Sequence, residues 1–161
     1  MGWDDLKEFQ LPDPERLTVS AQSASALSEK MIKITNYMVE ISQYEPTHKN
    51  NVEKIKADIV NMEKQRDFEF DLDLANNFAE IPDTHKRNLN LQRGWILNKF
   101  RSKYQEYEDN LAEMRITLVK LSRQYNEIER RLKAVARVLD VGRTILSALK
   151  EELRNLDNTG V

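Results

Sequence analysis

Few side chains in this 161-residue chain combine the type and the spacing that chemistry needs. Imidazole comes only from His48 and His85, each isolated in sequence, and the chain has no cysteine. A zinc site needs several nitrogen or sulfur donors converging on one point, so no metal or other cofactor is expected. The acidic residues form no Glu-x-x-His set of the di-iron bundle kind. Glycine-rich phosphate loops, nucleophile elbows and kinase signatures are missing as well. The expectation is a protein that is not an enzyme.

What remains is positive charge beside aromatic rings. Lys86, Arg87, Arg93, Lys99, Arg101 and Lys103 cluster, interleaved with Trp95, Phe100, Tyr104 and Tyr107. Cations that neutralise phosphates next to rings on which bases stack are the ingredients of single-strand binding. Phe100, Tyr104 and Tyr107 fall on the apolar seam described below and are expected in a core. Trp95 lies beside it and is the better stacking candidate. A second basic set comprises Arg123, Arg130, Arg131, Lys133, Arg137 and Arg143, with Glu127 four residues before Arg131, a spacing that pairs charges along a helix. A solvated helix face is the plainer alternative for both sets. With 25 basic and 27 acidic residues the formal charge is −2. No strong overall basic field exists, so nucleic-acid binding must come from local patches or from many subunits together.

A third candidate is the tract Asp67-Phe68-Glu69-Phe70-Asp71-Leu72-Asp73-Leu74, where acidic and apolar residues alternate. Period two suits extended backbone, but nothing else in the chain reads as a strand to pair with it. The tract is expected to be a loop (67–82) whose Phe68, Phe70 and Leu72 either tuck onto neighbouring helices or dock on a partner's sheet edge or basic pocket.

The elements that must position these residues are helices. From Leu97 apolar residues recur at alternating spacings of three and four: Phe100, Tyr104, Tyr107, Leu111, Met114, Leu118, Leu121, Tyr125, Ile128, Leu132, Val135, Leu139, then Gly142, Leu146, Leu149, Leu153 and Leu156. This 3.5-residue period keeps one stripe of a helix toward a partner, and no proline interrupts it. Such a helix would be roughly 90 Å long, so its seam needs cover from another helix of the chain, from other copies, or from both. Asp13-Pro14-Glu15 is a helix start, and Leu17, Ser20, Ala24, Leu27, Met31, Ile34, Met38 and Ile41 follow in the same register. Pro46 predicts a kink or short break, after which Val52, Ile55, Ile59 and Met62 resume the face. The expected organisation is an N-terminal arm (1–12) carrying Trp3, Leu6 and Phe9, a kinked helix (13–66), the acidic-aromatic loop, and a long helix (83–158) capped by Asp83 or Thr84. The fold class is all-α: a long helical hairpin or coiled-coil bundle assembling into an oligomer.

Around Gly142 the apolar face widens. Val135, Val138, Leu139, Gly142, Ile145, Leu146, Leu149 and Leu153 cover more than a two-stranded seam, which implies contact with at least two other helices. This region is the expected interface of a homo-oligomer. No apolar run approaches the length of a membrane span and no signal-peptide pattern opens the chain, so a cytoplasmic or intravirion protein without membrane contact is expected.

In outline the chain resembles the UvsY-type recombination mediators of T-even-like phages. The similar features are Trp3, Asp4 and Asp5 at the start, Asp13-Pro14-Glu15-Arg16-Leu17 leading to Leu27 and Met31, the tract Phe68-Glu69-Phe70, then Arg93-Gly94-Trp95 and Ile145-Leu146-Ser147-Ala148-Leu149. The resemblance implies a helical ring that binds single-stranded DNA and helps exchange a single-strand-binding protein for a RecA-like recombinase. The competing class is a structural or scaffolding ring, or an adaptor, with no nucleic-acid role.

Overall fold

The computed structural model describes residues 24–159. Within them lie helices α1 (Ala24–Ser42), α2 (Tyr44–Asn77), α3 (Leu89–Lys99) and α4 (Arg101–Thr159), with a 3₁₀ turn at Phe78–Glu80 and no strand. The chain is all-α over this range. The expected N-terminal arm, the helix start at Asp13-Pro14-Glu15, Leu17 and Ser20 lie outside the described residues.

The break between α1 and α2 falls at Gln43, just ahead of Pro46. Pro46 has no N–H to give the carbonyl four residues back, Ser42, and its ring would clash with that oxygen. The last turn of α1 tightens instead, the Gln43 N–H donating to the Glu40 carbonyl at 3.3 Å. Pro46 thereby sits in the first turn of α2, where a missing donor loses nothing.

The expected loop at 67–82 is corrected: α2 continues through the acidic-aromatic tract to Asn77. Lys103 donates to both Glu69 at 2.7 Å and Asp73 at 2.9 Å. One cation reaching residues four apart requires the helical repeat, and it overrides the period-two pattern. Phe70 turns inward to Tyr104, ring centroids 5.7 Å apart, while Phe68 is left 62% exposed and Leu72 is also exposed.

The long helix is also re-bounded. Residues 83–87 form turns rather than the first helical turns: the His85 and Lys86 N–H groups both donate to the Pro82 carbonyl, at 2.8 and 3.2 Å, and the Asn88 N–H to that of His85 at 3.0 Å. Asn88 caps α3, its Oδ1 accepting from the backbone of Asn90 at 2.9 Å and of Leu91 at 3.4 Å. A bend at Phe100 then separates α3 from the 59-residue α4. It absorbs a change of phase: α3 buries Ile96 completely and leaves the seam residue Leu97 46% exposed, whereas α4 buries Tyr104 and Leu111. The inward face shifts by one residue, about 100° of helix rotation.

The chain divides into two compact units. One contains, among the described residues, 24–49 and 123–159. Leu27, Met31, Ile34, Tyr37 and Ile41 of α1 pack there with Ile128, Val135, Val138, Leu139 and Ile145 of α4. Met31 meets Gly142, and Arg131 donates to the Tyr37 hydroxyl at 3.0 Å, so the pair is antiparallel. A Cβ at Gly142 would lie 2.1 Å from Met31 Sδ; the glycine is what lets α1 come this close. The expected oligomer interface is corrected accordingly. Val135, Val138, Leu139 and Ile145 are 0, 1, 4 and 8% exposed within the single chain. The wide face around Gly142 is filled by α1, leaving Leu146 and Leu149 half-buried and only Leu153 of that set exposed.

The other unit is Asn50–Ser122. Val52 and Ile59 of α2, Ile81, Ile96 of α3, and Tyr104 and Leu111 of α4 are its buried apolar residues. All the basic-aromatic candidates from Lys86 to Lys103 belong to this unit.

Candidate functional site: an arginine-lined groove

A ladder of polar contacts sets the register of α2 against α4 in the 50–122 unit. Arg115 donates to Glu63 at 2.8 Å, Arg66 to Glu108 at 2.7 Å, and Lys103 to Glu69 and Asp73. Lys99 at the end of α3 donates to Asn77 at 2.7 Å and also holds Glu80. As the α2 numbers climb their partners' numbers fall, which defines an antiparallel pair. The exposed members of such a ladder add little stability each, but together they fix which residues face one another.

The most enclosed rung is Asp73, Lys103 and Tyr104. The Tyr104 hydroxyl donates to Asp73 at 2.6 Å. Burial pushes the Asp73 carboxyl up, but the hydrogen bonds from Tyr104 and Lys103 outweigh it and hold the group below the ordinary carboxylate value. Burial, and then the same hydrogen bond, place the Tyr104 phenol well above its ordinary value. Lys103 is held protonated by Glu69 and Asp73. All three groups are locked in one charge state over the neutral range, which is the behaviour of a structural clamp.

Beside this rung opens a groove of about 760 Å³. Its α2 wall carries Asp67, Phe70 and Asp71; Arg93 and Leu97 of α3 and Arg101, Tyr104 and Glu108 of α4 form the rest. Arg66 at its edge is bound to Asp67 at 2.9 Å and to Glu108. The Arg93 guanidinium lies 5.6 Å from the centre of the Phe70 ring, a cation–π contact. No ion pair is found for Arg93, Arg101 or Asp71 among the described residues. The groove thus offers two available guanidinium groups, an available carboxylate and an apolar floor.

The geometry divides the seven residues expected to bind nucleic acid. Lys86, Lys99 and Lys103 are engaged by Asp83, Glu80 and the Glu69–Asp73 pair. The ammonium of Lys99 also sits 5.0 Å from the Trp95 ring centre, covering part of the one ring expected to be free for stacking. Arg93 and Arg101 line the groove, and Arg87 stands exposed in the turn before α3. Of the three expected docking residues, Phe70 lines the groove while Phe68 and Leu72 lie on the exposed side of α2. In the second basic set Glu127 accepts from Arg130 and from Arg131, both at 2.7 Å. Burial raises the Glu127 carboxyl, yet these two partners bring it below its ordinary value.

Arg66 and Asp71 were not singled out by sequence reasoning. The available signal was the spacing Glu63, Asp67, Asp71, which puts a row of acids along one side of α2. His48 Nδ1 lies 2.9 Å from the Tyr44 carbonyl oxygen one turn back, and among the described residues no group of three or more His, Cys, Asp or Glu could hold a metal ion. No helix in that range is long and apolar enough to cross a membrane. No protein-family model, no curated protein and no solved structure matches this chain. The UvsY-type resemblance therefore stands on the residues quoted for it alone.

Proposed function

We propose that this chain is a helical assembly protein that works by associating with copies of itself rather than by catalysis. The observation that supports it is the apolar surface left over once both units have closed their cores. Ile116 and Val119 on α4 are 56% and 50% exposed, and Val60 on α2 is exposed as well. Scattered apolar residues are ordinary on a protein surface, but Val60 and Val119 each lie one turn from a member of the Glu63–Arg115 pair, on one side of α2 and α4, with Ile116 on the outer face of α4 beside them. Sedimentation velocity over a concentration series tests the reading. The expected result is a mass of two or more chains. A single-chain mass up to the highest soluble concentration overturns it.

A second reading is the single-strand-binding recombination mediator, favoured by Arg93 and Arg101, which have no acidic partner among the described residues and line the groove with Phe70. Three of the seven expected contacts are already neutralised, and Asp67, Asp71 and Glu108 line the same groove, so a polyanion meets repulsion as well as attraction. On this balance a structural or scaffolding role ranks ahead of the mediator. Fluorescence anisotropy with a labelled single-stranded oligonucleotide decides it: salt-sensitive binding weakened by Arg93→Ala supports the mediator, and no binding at low salt removes it.

A further inference from the structure

We propose that a second copy of this chain seats on the groove flank of the 50–122 unit, about a twofold axis parallel to α2 and α4. Asp71 of each copy then faces Arg101 of the other. The inference rests on the assembly reading above and names its surface.

The flank is marked by the Glu63–Arg115 pair, 2.8 Å across the two helices. On α2, Val60 lies one turn before Glu63, and Asp67 and Asp71 lie one and two turns after it. On α4, Val119 lies one turn after Arg115, and Arg101 precedes it by two heptads, on the same side. The flank therefore carries an exposed apolar end and a charged end.

Levels along the pair follow from the ladder. Lys103 bonds both Glu69 and Asp73, so this part of α4 is level with Asp71. Arg115 bonds Glu63, so Val119, one turn beyond Arg115, is level with Val60, one turn before Glu63. Arg66 pairs with Asp67 and Glu108, which leaves Asp71 on the α2 wall and Arg101 on the α4 wall, and among the described residues no ion pair joins these two.

A twofold axis parallel to the helices lays α2 of one copy on α4 of the other at unchanged level. Asp71 then meets Arg101 twice, and Val60 meets Val119 twice. An axis across the helices would lay α2 on α2 and α4 on α4, so that Asp71 no longer faces Arg101, and one crossing at the level of Asp71 brings Asp71 against Asp71, a like-charge contact. The charge pattern selects the first arrangement.

The test uses the full chain in sedimentation velocity, with circular dichroism to confirm helicity of each variant. Asp71→Arg and Arg101→Glu should each raise the dissociation constant at least about tenfold, and the two combined should restore it. A wild-type oligomer indifferent to both reversals overturns this surface and leaves the assembly reading standing. Weakening by both without recovery in the combined variant also overturns it. A wild-type chain that never associates overturns the assembly reading, and this surface with it.

Discussion

The Tyr104 hydroxyl donates to the Asp73 carboxylate at 2.6 Å, and Lys103 donates to the same oxygen at 2.9 Å. This two-donor contact joins α2 to α4 where the alternating acidic-aromatic tract would otherwise be free to leave the helix. Tyr104→Phe removes one donor and leaves a largely enclosed carboxylate less satisfied. The expected loss is about 1–2 kcal/mol in urea unfolding. A change below a few tenths would show that Lys103 alone holds Asp73.

This cluster and the separate pairing of Glu127 with Arg130 and Arg131 set a pH dependence. Asp73 and Glu127 titrate below their ordinary values of 3.8 and 4.5 in the folded chain. Their stabilisation is fully present above those values and is lost as pH falls through the lower folded ones. Tyr104 and Lys103 are shifted upward from 10.0 and 10.5, so their stabilisation is present below those values and lost as pH rises through the higher folded ones. Thermal melts should give a plateau across neutral pH that falls at both ends. Asp73→Asn should flatten the acid side, and an unchanged acid limb would show that this carboxylate does not govern it.

Gly142 predicts an asymmetry of size. Alanine there gains about 1 kcal/mol of helix propensity but must displace the flexible end of Met31, whose sulfur would lie 2.1 Å from the new Cβ. The two effects offset, and Gly142→Ala should stay within about 1 kcal/mol of the parent in denaturant unfolding. Gly142→Leu cannot be relieved by moving one side chain. It should lower stability by about 2 kcal/mol or more and expose apolar surface to a dye such as ANS.

Asn88→Ala should cost about 1 kcal/mol, because Asn88 satisfies two backbone donors at the start of α3. Asn88→Asp should retain most of that stability. Hydrogen exchange of the Asn90 and Leu91 amides reads the effect locally, and equal exchange in all three proteins would show that the cap contributes nothing.

The 3-4 repeat of apolar residues by itself determined that these segments are helical and which stripe of α4 turns inward from Tyr104 to Leu149. Every seam position over that range is buried or half-buried. Periodicity carries this much because burial on a helix depends on angle about the axis, a quantity written directly in residue spacing. Pro46 likewise announced its break, since the defect lies in its own backbone.

Tertiary structure decided what covers each stripe. The broad face around Gly142 reads equally well as a home for another chain or for α1, because an apolar stripe encodes the need for a partner and not its identity. The Met31–Gly142 approach and the core that α1 shares with Val135, Val138, Leu139 and Ile145 show that α1 fills it. The helical state of 67–77 and the bend at Phe100 were hidden for a related reason. They depend on contacts such as Lys103 with Glu69 and Asp73, thirty or more residues apart, whose energies no local pattern contains. The fate of most of the basic cluster was settled the same way: the antiparallel pairing brought acids to Lys99 and Lys103, whereas Lys86 found Asp83 three residues back, and Arg93 and Arg101 line the groove without an ion pair among the described residues.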